Sequence, residues 1–190
     1  MYNCLNENNS QPACVSKWNQ KLSTNYNMND WKTFFSIPFT VTNDRKMQWF
    51  QIRILHRIIG TNDFLYKIKY IENNLCTFCR QKAETIEHLF WECGLSKTVW
   101  QSLRIFQPDM FSTLDIENVV FGFRQPSAKA KNLVIISAKM YIFQCRAKSC
   151  KPSILGVKQY INFQYDICKQ AAVERNLLED FNQIWRAFHY

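Results

Sequence analysis

Residues 76–93 read CTFCRQKAETIEHLFWEC, and the spacing C-x2-C-x8-H-x4-C places four metal-binding side chains in this one stretch: Cys76, Cys79, His88 and Cys93. Two cysteines separated by two residues can turn both thiolates toward one ion, and Thr85 is placed to begin a helix that presents the other two ligands. Three thiolates and one imidazole suit tetrahedral zinc and leave no open position for water. The spacing therefore predicts a zinc knuckle with one structural Zn²⁺ and no catalytic metal.

Other interpretations of these four residues are weaker. A thioredoxin-like redox pair requires a βαβ pattern that the sequence lacks, and it leaves His88 and Cys93 unexplained. A retroviral-type knuckle has four residues before its histidine, and a RING domain needs a second zinc. Four unlinked core residues remain an alternative, because buried free cysteine is common. The remaining cysteines are interpreted as unligated arm residues or as thiols in helix packing: Cys4 and Cys14, and Cys145, Cys150 and Cys168.

The rest of the chain is predicted to be mainly α-helical, because it contains only 4 Gly and 5 Pro alongside 15 Phe, 8 Tyr and 6 Trp. Apolar periodicity and capping residues predict helices over Ser16–Leu22, Trp31–Ser36, Asn43–Ile59, Asp63–Ile71, Thr85–Cys93, Lys97–Phe106, Ala128–Ser149 and Ser153–Phe188. The expected signals are N-caps at Asp30, Asn62 and Ser96, a stop at Pro38, a C-terminal glycine at Gly60 and a break at Pro152. The one predicted β-segment is Val119–Phe123.

These elements predict three units. Residues 1–29 form a polar arm rich in Asn, Gln and Ser, residues 30–125 form a helical zinc-binding domain, and residues 126–190 form a hairpin of two long helices packed on that domain. Residues 1–12 lack the apolar core of a signal peptide, and the most apolar run, at 133–143, is too short to cross a membrane. We therefore expect a cytoplasmic or nuclear protein that is not secreted, with no membrane partner and with cysteines as thiols or metal ligands.

The net charge of +9 is unevenly distributed. Residues 45–82 carry 8 basic and 2 acidic groups, residues 83–117 carry 2 and 6, and residues 118–158 carry 8 and 0. Two basic blocks thus flank an acidic block. A basic protein attracts polyanions, and this segregation favours a nucleic-acid partner over a surface of solvated lysines without a partner.

The predicted helix over 43–59 sorts its side chains into two faces. At 100° per residue, one arc of about 120° holds the cationic side chains together with one aromatic ring. The members of this arc are Arg45, Lys46, Trp49, Arg53, His56 and Arg57. Cations for phosphates beside a ring that can stack on a base are typical of single-stranded nucleic-acid binding. The alternative is an ordinary solvated face with Trp49 at its edge.

A narrower cationic strip follows the predicted helix over 128–149. Lys131, Lys139 and Arg146 share this strip with apolar residues, so most of the helix circumference is expected to be buried. The strip fits a second contact with a nucleic-acid backbone and an exposed helix face equally well.

The sequence resembles the C-terminal zinc-binding segment of reverse transcriptases from non-LTR, LINE-type retrotransposons. The resemblance is carried by residues 49–62 (WFQIRILHRIIGTN), by CTFC at 76–79 and by ETIEHLFWEC at 84–93 with Trp100 after it. It extends from about Trp18 to the end, including 118–122 (NVVFG), 158–160 (KQY) and Trp185. In that family the segment follows the polymerase thumb and helps to hold template RNA. The resemblance implies that the four residues of the spacing are zinc ligands.

No catalytic residue is implied, and the sequence offers none of its own. Nucleotidyl transfer needs clustered carboxylates to hold two metal ions, and the adjacent acids are limited to Glu179 and Asp180 on a late helix. We therefore expect no enzyme and no small-molecule substrate. Two functions remain open: a zinc-dependent module that binds RNA or another single-stranded nucleic acid, and a docking module that packs on a reverse transcriptase polymerase domain or another partner.

Overall fold

The computed structural model describes residues 12–185, except for the side chains at positions 180, 183 and 184. The helices are α1 (Ala13–Leu22), α2 (Met28–Val41), α3 (Arg45–Leu55), α4 (Asn62–Lys67), α5 (Gly94–Phe106), α6 (Pro108–Phe111), α7 (Ile116–Phe121), α8 (Lys129–Ala147), α9 (Ile154–Glu174) and α10 (Leu178–Trp185). A π-helix lies at His88–Glu92 and a 3₁₀ turn at Pro126–Ala128. The mainly α prediction is confirmed. Among the described residues, β-pairing is limited to one antiparallel bridge between Leu75 and Ala83.

Helix α8 is the centre of the molecule. Twelve of its 19 residues are buried, and it contacts α2, α3 and α9. A helix that is apolar on most of its circumference must be enclosed by other helices, so its neighbours pack around it. The predicted pair of long helices is present, because α9 runs back along α8. The division into units at 29/30 and 125/126 stays a prediction.

Part of the predicted arm belongs to the core. Trp18 on α1 is fully buried, and its indole nitrogen donates to the carbonyl of Leu55 at 2.8 Å. Its ring also meets Phe121 edge to face, with centroids 5.4 Å apart. Helix α1 is therefore fixed against the end of α3. Cys4, interpreted as an unligated arm cysteine, lies outside the described residues.

The predicted strand at 119–123 is wrong, because the structure forms α7 there. The Asp115 side chain accepts from the Asn118 amide at 2.7 Å and caps the helix. The apolar residues that suggested a strand are buried around the helix axis instead, and Phe121 contacts Tyr26, Trp31 and Phe34. A short apolar run fits a buried helix as well as a buried strand.

Gly122 ends α7 in a conformation that a side chain resists. Its φ is 90°, and an added Cβ would lie 2.8 Å from Asn132 Oδ1. The Asn132 side chain bonds the backbone on the far side of this turn, accepting from the Phe123 amide and donating to the Phe123 carbonyl. Glycine is needed here both for the backbone angle and for the close approach.

Several predicted helix ends are wrong. Asn27, rather than Asp30, caps α2, and Asp30 completes the capping box as its third helical residue. Pro38 lies inside α2, which continues to Val41 because Phe34, Ile37 and Val41 are buried on one side of it. At the other end of the chain, the last predicted helix is divided at Asn176, whose φ is 55°. The part of it beyond 185, including Phe188, lies outside the described residues.

Two further N-caps were also assigned to the wrong residue. Thr61, rather than Asn62, caps α4 by accepting from the Phe64 amide. Ser96 lies inside α5, where its hydroxyl donates to the Leu89 carbonyl at 2.6 Å. No helix within the described residues combines the length and apolar character needed to cross a membrane.

Candidate functional site

A short hairpin positions the first two cysteines. The Cys76 amide donates to the Lys82 carbonyl at 2.8 Å, and the Glu84 amide donates to the Asn74 carbonyl at 2.7 Å. Between these bonds the chain turns through Arg80, which has a φ of 53°. The turn brings Cys79 back beside Cys76, as the two-residue spacing predicts.

The other two residues lie at the ends of a π-helical turn. The Thr85 hydroxyl accepts from the His88 amide at 3.0 Å, so Thr85 begins this element as predicted. The Cys93 amide then bonds the His88 carbonyl at 2.8 Å, five residues back. An α-helix would bond residues four apart, whereas the wider π-turn places residues 88 and 93 one above the other. The predicted helix over 85–93 is thus replaced by a geometry suited to the x4 spacing.

The structure brings the four ligand atoms within 4.8 Å of one another: Cys76, Cys79, His88 and Cys93. Cys76 Sγ lies 3.9 Å from Cys93 Sγ, and Cys79 Sγ lies 3.3 Å from His88 Nε2. A zinc–sulfur bond of about 2.3 Å in a tetrahedral site separates two sulfurs by about 3.8 Å. The distances therefore fit one zinc ion, and three of the four residues are buried. We call residues 75–93 the knuckle.

Two side chains of the cluster, Cys93 and His88, favour the unprotonated form. The Cys76 thiol donates to Cys93 Sγ, which lowers the pKa of Cys93 to about 7 and raises that of Cys76. Burial lowers the pKa of His88, which favours the neutral imidazole. A metal ligand must be a thiolate or a neutral imidazole, so Cys93 and His88 are prepared for binding.

A buried carboxylate, Glu84, links the knuckle to two other parts of the chain. One of its oxygens accepts from the Thr77 amide at 2.7 Å, next to the first cysteine. Its other oxygen accepts from the Asn62 amide at 3.0 Å and from Arg146 Nε at 2.5 Å. Arg146 also donates to the Asn62 side chain at 2.6 Å. The three side chains connect the knuckle to the start of α4 and to α8.

A second ion pair joins the knuckle to the end of α3. Arg57 donates to Glu87 at 2.6 Å, and its guanidinium lies 4.1 Å from the centre of the Trp18 ring. Burial alone would raise the pKa of Glu87, but the hydrogen bond and charge of Arg57 outweigh it and hold this pKa below its ordinary value. Glu87 precedes His88, so the pair fixes the π-turn against the core.

Helix α3 is shorter than the predicted helix over 43–59. It ends at Leu55 because Arg57 adopts a φ of 58°, and the Ile58 amide returns to the Arg53 carbonyl at 2.9 Å. This is a Schellman cap with arginine at the position that Gly60 was expected to fill.

The face predicted to bind nucleic acid is exposed in part, and its role stays a prediction. Five of its six residues are exposed, namely Arg45, Lys46, Trp49, Arg53 and His56. Trp49 is 51% exposed. The sixth, Arg57, lies beyond the helix and is engaged with Glu87, so it serves the knuckle instead. Arg45, Lys46 and Arg53 form no ion pair with any of the described side chains. We call Arg45, Lys46, Trp49, Arg53 and His56 the α3 face.

A cleft of about 680 Å³ continues from the end of the α3 face toward the knuckle. Its basic lining comes from Lys17 and Lys21 on α1, Arg57 after α3 and Lys67 on α4, and Lys67 is paired there with Asp63. His56 also lines the cleft, and burial lowers its pKa, which favours the neutral imidazole. On the knuckle side it is bounded by residues 85 and 86. The α1 lysines were not identified from the sequence, because the folding of the arm onto α3 is a tertiary contact. Sequence reasoning also missed the roles of Glu84 and Glu87, for which the only signal was the acidic block at 83–117.

The cationic strip of α8 is engaged by groups of the protein itself, with Lys139 buried and Lys131 and Arg146 half-buried. Lys139 is fully buried, and its Nζ donates to Gln51 Oε1 at 2.6 Å and to the Val120 carbonyl at 3.3 Å. Burial lowers the pKa of Lys139 well below its ordinary value. Arg146 is engaged with Glu84, and Lys131 lies over the Phe123 ring. Both interpretations of this strip, as a nucleic-acid contact and as an exposed face, are therefore wrong.

Comparison with known proteins agrees with the geometry of the knuckle. The family model described as zinc-binding in reverse transcriptase matches residues 1–100, which include all four cluster residues, the α3 face and most of α5. A search of curated proteins found no match.

Proposed function

The chain belongs to the family of zinc-binding segments of reverse transcriptases, and from this premise we propose that it is a zinc-dependent nucleic-acid-binding module. The observation that carries the proposal is the α3 face, a group of exposed cations around an exposed tryptophan on a helix whose end is fixed to the knuckle by Arg57 and Glu87. RNA or another single-stranded nucleic acid is the proposed ligand.

We propose that Cys76, Cys79, His88 and Cys93 hold one structural Zn²⁺. The fit of the ligand distances to a tetrahedral site and the zinc-binding family both support this assignment. Such an ion supplies folding free energy, because the ligands are brought together only in the folded chain. Four protein ligands complete the coordination, so the ion has no position left for a reacting water.

Electrostatics and stacking support binding at the α3 face. Arg45, Lys46 and Arg53 have no carboxylate partner within the described residues, so their charge is available to phosphates. Trp49 lies on the same helix, and the exposed half of its side chain is the part that we propose meets a base. Lys17 and Lys21 extend the positive surface into the cleft, whereas Lys67 on its far side is paired with Asp63. A single strand running from α3 into the cleft would meet the cations of α3 first and the two lysines of α1 next.

We also propose that the chain has no polymerase or endonuclease activity of its own. The metal-capable group found among residues 12–185 contains no carboxylate, whereas phosphoryl transfer at two metal ions needs several. The source we propose is a LINE-type retrotransposon, with a reverse transcriptase polymerase domain as a further partner. A cytoplasmic or nuclear location agrees with free thiols that include the exposed Cys150.

One observation favours docking on a protein as a second candidate function. Exposed apolar side chains lie on α4 and in the segments just after α3 and α4: Ile58, Tyr66, Ile68 and Tyr70. Grouped exposed apolar residues mark protein contacts more often than nucleic-acid contacts. A docking module would self-associate when purified alone and would bind RNA weakly.

The salt dependence of RNA binding tests the proposal. A labelled single-stranded RNA is titrated with zinc-loaded protein at several salt concentrations, and anisotropy gives the affinity. Each phosphate contact adds about 0.7 to the slope of log affinity against log salt for single strands. The double variant Arg45→Ala, Arg53→Ala should therefore flatten the slope by about 1.4.

The matched control is Lys148→Ala with Lys151→Ala, which removes the same charge from exposed positions after α8. It should leave the slope close to that of the natural protein. An equal loss in both double variants would show that only net charge matters, and an unchanged slope at the α3 face would overturn the assignment. Absence of RNA binding by a zinc-loaded protein that elutes as an oligomer would favour docking.

A further inference from the structure

The end of α8 brings two cysteines together. The chain leaves the helix through Ser149, which has a φ of 52°. The Ser149 amide donates to the Arg146 carbonyl at 3.1 Å, and the Cys150 amide donates to the Cys145 carbonyl at 2.9 Å. This pair of bonds defines a Schellman cap. In such a cap the side chains of the two residues joined by the longer bond lie in contact, and that contact is usually apolar. Here both residues are cysteines.

The two thiols differ in exposure. Cys145 is 3% exposed, and Cys150 lies at the surface. The Cys150 side chain and the Tyr141 hydroxyl both lie beside Cys145. Burial raises the pKa of the Cys145 thiol, so Cys150 is the group that a reagent meets first. Neither cysteine belongs to the metal-capable group of the knuckle.

We propose that Cys145 and Cys150 are a site of reversible oxidation and form a disulfide with a disulfide oxidant such as oxidised glutathione. The Cys150 thiolate attacks one sulfur of the oxidant and releases one glutathione thiolate, which leaves a mixed disulfide. Cys145 then loses its proton and attacks Cys150 Sγ, which releases the second glutathione. Two protein thiols are oxidised by two electrons, and one glutathione disulfide is reduced to two thiols.

The backbone geometry favours this pair over the other cysteines. The backbone hydrogen bond from Cys150 to Cys145 already keeps these two residues together, so we expect the disulfide to form without a change of fold. Cys14 lies against His56, with Sγ 3.8 Å from Nδ1, and Cys168 lies on a different helix, α9. Because the closed loop is very short, the bridge removes little chain entropy and stays easy to reduce.

The site lies next to the link between α8 and the knuckle. Arg146, which follows Cys145, is the partner of Glu84, and Ser153, which follows Cys150 closely, caps α9. A bridge would fix the turn between these two contacts. The proposal depends on the geometry of this cap and is independent of nucleic-acid binding.

Mass spectrometry of the full zinc-loaded chain tests the proposal. The protein is incubated with oxidised glutathione, free thiols are alkylated, and the chain is digested with trypsin without reduction. Trypsin cuts between the two cysteines after Arg146 and Lys148, so the bridge appears as two joined peptides, 140–146 and 149–158. Reduced glutathione should return both peptides to their alkylated forms.

Three variants separate the steps. Cys145→Ser should stop at a glutathione adduct on Cys150. Cys150→Ser should leave Cys145 alkylated and without glutathione. The control Cys168→Ser should form the bridge as the natural chain does. A persistent glutathione adduct on Cys150 of the natural chain would overturn the proposal. So would a bridge from either cysteine to any third cysteine, because the cap would then not select its own pair.

Discussion

The knuckle and the core around α8 are stabilised in opposite ways. The core buries apolar side chains on all sides of α8, and it needs no ion to hold them. The knuckle surrounds three thiols, an imidazole and the fully buried carboxylate of Glu84. Thiolates and carboxylates repel one another without a cation, so we expect the knuckle to depend on the proposed zinc in a way that the core does not.

Two ion pairs join these unlike regions. In each pair the core supplies an arginine and the knuckle supplies a glutamate: Arg57 with Glu87, and Arg146 with Glu84. The arginines come from the two basic blocks of the sequence, and the glutamates come from the acidic block between them. Part of the charge segregation that suggests a polyanionic partner therefore serves contacts within the protein.

The largest expected effect comes from removing a metal ligand. Cys93→Ala should abolish stoichiometric zinc binding, because three ligands cannot close the site and the knuckle has no other source of comparable free energy. Structural zinc contributes roughly 10 to 16 kcal/mol in zinc-finger peptides. Native mass spectrometry measures the bound metal. Cys168→Ala on α9 is the control and should retain one zinc, and zinc retained at full stoichiometry by Cys93→Ala would remove this residue from the ligand set.

The next effect comes from breaking a connection between the two regions. Arg146→Ala leaves Glu84 buried without its cation, and loss of one partner of a buried pair typically costs about 3 to 5 kcal/mol. Urea denaturation of the zinc-loaded protein measures the change in unfolding free energy. Lys148→Ala, exposed on the same end of α8, should change it by less than about 0.5 kcal/mol. Equal effects of the two substitutions would show that the pair contributes nothing beyond charge.

The smallest expected effect concerns the core, and it is a change in how the unfolding free energy depends on pH. The unfolded chain holds the Lys139 proton up to its ordinary pKa of 10.5, whereas the folded protein releases it at lower pH. Between those two pKa values the unfolded state binds more protons, so stability rises with pH. Lys139→Met should flatten this rise. Chemical denaturation between pH 7 and pH 10 measures the slope of unfolding free energy against pH. The control Lys148→Met should keep the slope of the natural protein. Identical slopes in all three proteins would contradict a lowered pKa for Lys139.

The sequence predicts best where a single local pattern determines the structure. The cluster residues are spaced for one ion, and the structure brings them together. The face of α3 follows from a regular 100° rotation, and five of its six members are exposed. Both features depend on neighbours along the chain, which the sequence displays directly.

Predictions failed where distant contacts decide the outcome. Lys139 and Arg146 are cations on a helix surface by sequence, but Gln51 and Glu84 lie opposite them only after α8 packs on its neighbours. Arg57 shares the predicted arc with these residues by angle alone, yet the Schellman cap turns it toward Glu87. A cationic strip shows which side chains share a face, and it does not show whether that face meets solvent or protein.

Hydrogen exchange with and without a zinc chelator tests most directly whether the two regions have separate sources of stability. Removal of zinc should expose the knuckle amides, including that of Cys93, to rapid exchange, while the central amides of α8 keep most of their protection. This result would show that the metal holds the knuckle and that apolar packing holds the core. Unchanged protection of the knuckle in a protein shown to have lost its zinc would contradict the account.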